Sequence, residues 1–145
     1  MGGKVTMSIV SEHQVGKIGD DWKYTISAKV FNQGLKGTGE IVVKKHTLGN
    51  DVTQEPPGPP APVEIPAGDG GGELMIRITL NATEVDFFKS DSGENTIDYR
   101  MHCPAAGEGP LEHEIDVSVG VRESPGFVEN ASVLTIKLKF VAECG

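Results

Sequence analysis

Six residues carry side chains that ligate metals or act as nucleophiles and bases: His13, His46, His102, His113, Cys103 and Cys144. Zinc sites usually announce themselves by close pairs such as C-x2-C or H-x3-H. The one close pair here is His102-Cys103. Neighbours on a strand point to opposite faces, so these two do not share one ion. The same geometry argues against a Cys–His nucleophile, whose partners must meet in space. No G-x-S-x-G elbow occurs. The expectation is no catalytic residue, no metal ligand and no cofactor.

Acidic residues gather as Asp20-Asp21, Glu112 with Glu114, Asp69, and Asp91 with Glu94. Sandwich loops can hold calcium through clustered carboxylates, but no D-x-D-x-D-G spacing is present. Asp91-Ser92-Gly93-Glu94-Asn95 reads as turn chemistry instead, since Asp and Gly suit tight turns. Cys103 and Cys144 admit two readings: two buried thiols acting as small hydrophobes, or one disulfide tying the C-terminal strand to a core strand. Pro59-Pro60-Ala61-Pro62 has the P-x-x-P form of a polyproline ligand, without an adjacent Arg or Lys; a stiff crossover loop is the plainer reading. Trp22, the sole tryptophan, has the inward parity of its strand and is expected to anchor the core. Phe31 and Phe127 are not placed by the pattern. Phe87-Phe88 straddles two faces and is the candidate partner surface.

The elements that position these residues show a period of two. Trp22, Tyr24, Ile26, Ala28 and Val30 alternate with polar residues. So do Leu74 to Leu80, Ile97 to Cys103, Ile115 to Val121, and Leu134 to Phe140. Each such run predicts a half-buried antiparallel strand. Weaker strands are expected at Val5–Val10 and Ile41–Lys45, and short pieces at Val63–Ile65 and Val85–Phe88. Gly34, Gly37 and Gly39 are expected to separate two strands, and Ser90-Asp91-Ser92-Gly93 to form a tight turn. The proline run from Pro56 to Pro62 cannot be a central strand, because proline lacks the ladder donor. No segment has capped helical spacing beyond one turn near Ala82–Phe88. The fold class is all-β: an antiparallel sandwich of seven to nine strands, Ig-like, with a jelly roll as the alternative order.

The 145 residues suit one domain over 1–145, and 37% apolar content is too high for a disordered chain. No apolar run approaches a membrane span. With 13 Lys+Arg against 21 Asp+Glu, the net charge of −8 argues against nucleic acid or anionic membrane as partner. No h-region follows Met1-Gly2-Gly3-Lys4, so the expectation is a cytoplasmic protein or a mature or excised piece. Asn81-Ala82-Thr83 and Asn130-Ala131-Ser132 match the glycosylation acceptor pattern, which matters only on a eukaryotic secretory route.

One stretch carries a family resemblance. Tyr24-Thr25-Ile26-Ser27-Ala28-Lys29-Val30-Phe31-Asn32-Gln33-Gly34 runs into Thr38-Gly39-Glu40-Ile41-Val42-Val43-Lys44, and Val63-Glu64-Ile65-Pro66-Ala67-Gly68 precedes the next alternating strand. Residues 20 to 80 thereby resemble bacterial immunoglobulin-like modules of the cell-adhesion-related CARDB type. The resemblance implies a seven-stranded sandwich for adhesion, spacing or display, with no catalytic residues. The expected function is a non-catalytic protein-binding or structural module whose partners are other protein chains. The alternative is an assembly subunit, such as a virion decoration protein that forms homo-oligomers. A second alternative, a small metal-binding or enzymatic sandwich, would need His102, His113, Cys103 or the acidic loops to converge.

Overall fold

The computed structural model describes residues 2–69, 72–86, 90–104, 107–122 and 131–144. Within them the alternating runs form strands β1 (Gly3–Gly16), β2 (Asp21–Phe31), β3 (Leu35–Thr47), β4 (Val52–Gln54), β5 (Val63–Gly68), β6 (Gly72–Glu84), β7 (Asp91–Cys103), β8 (Leu111–Arg122) and β9 (Ala131–Glu143). One sheet has the order β4-β1-β9-β8, with β5 also paired to β1; the other has the order β3-β2-β6-β7. All pairings are antiparallel. The result is a two-sheet sandwich, broadly Ig-like in topology, without closure into a barrel.

The core follows from the alternation. Leu74, Ile76, Ile78, Leu80 and Ala82 of β6 face Leu134, Ile136, Leu138, Phe140 and Ala142 of β9, and all ten are fully buried. Trp22 is fully buried with the inward residues of β2, as its parity predicts. Each such aliphatic or aromatic side chain contributes about 1.5–3 kcal/mol of burial. Cys103 and Cys144 are joined by a disulfide that links the end of β7 to the residue after β9. Closing a loop of sequence separation 41 restricts the unfolded chain by about 4 kcal/mol in the chain-entropy account.

Three expectations are corrected. Gly37 and Gly39 lie inside β3 and do not separate strands. They are small because β5 crosses there: a Cβ on Gly37 would lie 2.6 Å from Pro66 Cδ, and one on Gly39 would lie 2.7 Å from Ile65 Cγ1. Asp91-Ser92-Gly93 opens β7 and is not a turn, because Asp91, Ser92 and Gly93 pair in register with Glu84, Thr83 and Ala82. Val85 and Asp86 are not strand. Phe87 and Phe88, like Asn130 and Phe127, lie outside the described residues.

Both openings of the sandwich are covered without a ladder among the described residues. At one, β7 lies on β8: Gly93 fits against the Gly120 carbonyl, Asn95 Nδ2 donates to Ser118 O at 2.8 Å, and Tyr99 meets His113. At the other, β3 lies on β5 through Gly37 and Gly39. Such coverage blunts edge-to-edge pairing of strands.

Candidate functional site

Two bulges, one in each sheet, decide where the polar chemistry sits. In β1 the register against β9 shifts between Ile9 and Ser11. Val5 and Met7 point inward before it, and Glu12 and Gln14 point inward after it. In β3 the register against β2 shifts between the Tyr24–Val43 and Trp22–His46 pairs, so Lys44 and Lys45 together oppose Lys23. Ile41 and Val43 point inward before this shift and His46 after it. A single extra residue reverses the face of everything beyond it. The two reversals bring Glu12 and His46 face to face.

Glu12 is fully buried and makes three hydrogen bonds. Tyr24 Oη donates to its Oε1 at 2.6 Å. Gln54 Nε2 donates to Oε2 at 2.9 Å, and His46 Nε2 lies 2.6 Å from the same oxygen. His46 Nδ1 lies 2.8 Å from the Lys44 carbonyl, an obligate acceptor, so Nδ1 carries a proton. Two assignments remain: an imidazolium facing a carboxylate, or a neutral ring facing a carboxylic acid. Both give a pair of zero net charge. In both, each ring nitrogen is occupied, so His46 offers no lone pair to a metal or a substrate. Burial, reinforced by the bond to Glu12, pushes the Tyr24 phenol far above its usual range, and it remains a donor. Gln14 completes this end by donating from Nε2 to Gly19 O at 3.2 Å and Leu48 O at 3.1 Å.

The other histidines are dispersed. His13 Nε2 lies 3.0 Å from Asp51 Oδ1. His113 Nδ1 meets the Tyr99 hydroxyl. His102 is exposed opposite Glu73, while Cys103 is buried and disulfide-bonded. Among the described residues no three His, Cys, Asp or Glu converge as a metal site. Glu112 and Glu114 of β8 flank one lysine of β9: Lys139 Nζ lies 3.3 Å from Glu112 Oε1, and Glu114 is the register partner of Lys139. Asp20 and Asp69 are exposed, and Asp91 is buried while Glu94 is exposed. Phe31 is half-buried beneath Arg77, whose guanidinium sits 5.6 Å over the ring and bonds Asp98 through Nε at 2.9 Å and Nη2 at 3.2 Å.

The β3 bulge also shapes the outer face of the β3-β2-β6-β7 sheet. An open groove of about 680 Å³ lies there. Lys23, Lys44 and Lys45 line it at the bulge, followed by Thr25, Asn81 and Glu94, then Glu40, Ser27 and Thr79. Hydroxyl pairs order its floor, with Thr79 and Thr96 at 2.9 Å and Thr83 and Ser92 at 2.8 Å. None of the three lysines has an ion-pair partner among the described residues.

Neither Glu12, Gln14 and Gln54 nor the lysine groove is visible in the alternation. The signals are two irregularities: Val10, where the apolar series Val5-Met7-Ile9 loses parity, and the Lys44-Lys45 doublet after Ile41-Val42-Val43. No protein-family model matches the chain. Comparison with curated proteins and with solved structures finds no match either.

Proposed function

We propose that the chain is a non-catalytic, Ig-like binding module that docks an acidic segment of a partner protein on the outer face of the β3-β2-β6-β7 sheet. One observation carries this reading: Lys23, Lys44 and Lys45 meet at one bulge, without ion-pair partners among the described residues, on a chain of net charge −8. Surface cations in an acidic protein steer and orient an anionic partner. Glu94 and Glu40 sit farther along the same groove, which gives it a polarity that fixes the direction of the bound chain. The locked ring of His46 and the dispersal of the other histidines support a role without catalysis. The disulfide supports a working place outside a reducing cytosol, in keeping with the adhesion or display role that the likeness of residues 20 to 80 to CARDB modules suggests.

The test is fluorescence anisotropy with a labelled oligoglutamate peptide. The wild-type chain is expected to bind, and the Lys23→Glu, Lys44→Glu, Lys45→Glu triple variant to bind at least about tenfold more weakly, or about 1.4 kcal/mol. Affinity should also fall as salt rises. Equal binding by the folded triple variant, or no binding by wild type at low salt, overturns the reading.

A second reading, an assembly subunit, is favoured by one feature of the opposite sheet. Val15 and Val133 are register partners on its outer face, 48% and 47% exposed, beside the bare backbone of Gly120. Light scattering after size exclusion decides it: a discrete oligomer that Val133→Lys dissolves supports it, and a monomer overturns it.

A further inference from the structure

At the end of β6, Glu84 pairs in register with Trp22 of β2 on one side and Asp91 of β7 on the other. Glu84 and Asp91 are 3% and 7% exposed, so two carboxyl groups stand directly across strands in a nearly dry site. Like charges in that position repel. Glu84 Oε2 has no hydrogen-bond partner among the described residues. Gly19 closes over the group; its φ of 151° suits glycine, and a Cβ there would lie 2.0 Å from Glu84 Oε1. The Gly19 carbonyl accepts from Trp22 Nε1 and Gln14 Nε2, both at 3.2 Å. The turn that covers Glu84 is therefore tied to the sole tryptophan.

We propose that Glu84 is a proton-operated latch: its neutral carboxyl lets the Gly16–Asp20 turn close over the end of the sandwich, and its ionised form drives that turn away from Trp22. The charged groups facing Glu84 are Asp21 on β2, Asp86 after β6 and Asp91 on β7, and Arg122 ends β8, the strand lying on β7. Burial, and then Asp86, Asp91 and Asp21, push the Glu84 carboxyl up to about 7. An ionised carboxylate in this site needs water. The nearest cover is this short turn, anchored at its two ends by Gly16 N to Asn50 Oδ1 at 2.8 Å and Leu48 N to Asp20 O at 2.7 Å. Its middle, over the carboxyl, is held by Ile18 in the core, Ile18 N at 3.4 Å from Ser132 Oγ, and the two longer bonds to the Gly19 carbonyl. A divalent cation would answer the same repulsion, but no three carboxylates among the described residues meet around one point, which favours the proton. This inference stands independently of the lysine groove, which lies on the outer face of the sheet.

The experiment follows Trp22 emission from about pH 5 to about pH 9 in the intact chain. The expected result is a one-proton transition with a midpoint near 7 and a red shift on the alkaline side. Glu84→Gln, a neutral variant of equal size, should hold the acid-form spectrum throughout. Asp91→Asn removes one like charge and should move the midpoint to lower pH. The four histidines remain in Glu84→Gln, so a transition that survives there belongs to them and overturns the latch. Absence of any transition in wild type overturns it as well. Reversal of the alkaline spectrum by millimolar calcium, undone by chelator, overturns it in favour of a cation site.

Discussion

Along β6, from Leu74 to Ala82, every second side chain is apolar and fully buried, and β9 does the same from Leu134 to Ala142. Along β1 and β3 the rule changes part-way. Beyond the bulges the inward side chains are Glu12, Gln14 and His46, and the outward ones include Val15. The body of the sandwich is held by burial, which is non-directional and tolerant of which neighbour supplies it. The polar end is held by hydrogen bonds that each require one partner in one place. The buried polar network and the lysine cluster therefore share one end: the bulges that turn Glu12 and His46 inward also leave Lys44 and Lys45 together on the surface.

The comparison can be broken most directly by Glu12→Ala. The change removes the acceptor that Tyr24 and Gln54 share and the carboxyl that faces His46, and leaves their polar atoms without it. Losing that shared buried partner is expected to cost about 4 kcal/mol. Urea unfolding measures it. A loss near zero would mean that the polar end contributes nothing to stability.

The next effect belongs to the body. Ile78→Ala removes a fully buried side chain at the centre of β6 and is expected to cost about 3 kcal/mol at every pH. A pH-dependent cost would couple the body to the polar end and blur the distinction.

The last effect sharpens the comparison by appearing only as pH rises. The Glu84 carboxyl is raised in the folded chain from 4.5 to about 7. Between those values the unfolded chain has lost the proton and the folded chain still holds it, so stability falls as pH rises through the window. Glu84→Gln should therefore match wild type at pH values below the unfolded pKa and be more stable by about 3 kcal/mol above the folded one. Thermal unfolding at acid and alkaline pH gives both numbers.

The five strongest runs of alternation all became strands, because a period of two with one apolar face has a single low-energy use. Reading Gly37, Gly39 and Asp91-Ser92-Gly93 as punctuation failed for one reason. Glycine marks a sharp turn and a close crossing equally well, and only the packing of β5 on β3 and of β8 on β7 separates the two. The parity of Cys103 and Cys144 places both inward; that they meet depends on β7 and β9 ending at the same corner of the sandwich. The histidines were conspicuous by type, yet the one with a built environment, His46, stands out in no local motif.

Composition and alternation alone determined an all-β sandwich, its inward faces, Trp22 as an anchor and an acidic surface charge. These are short-range properties, fixed by side-chain transfer between water and core and by the two-residue pleat. The tertiary structure decided the strand order, the disulfide, the closure of both openings, and the meeting of Glu12 with His46, Glu84 with Asp91, and Lys23 with Lys44 and Lys45. Each of these joins residues on different strands. Their contact depends on register, and one bulged residue in β1 or β3 is enough to reverse which face a side chain takes.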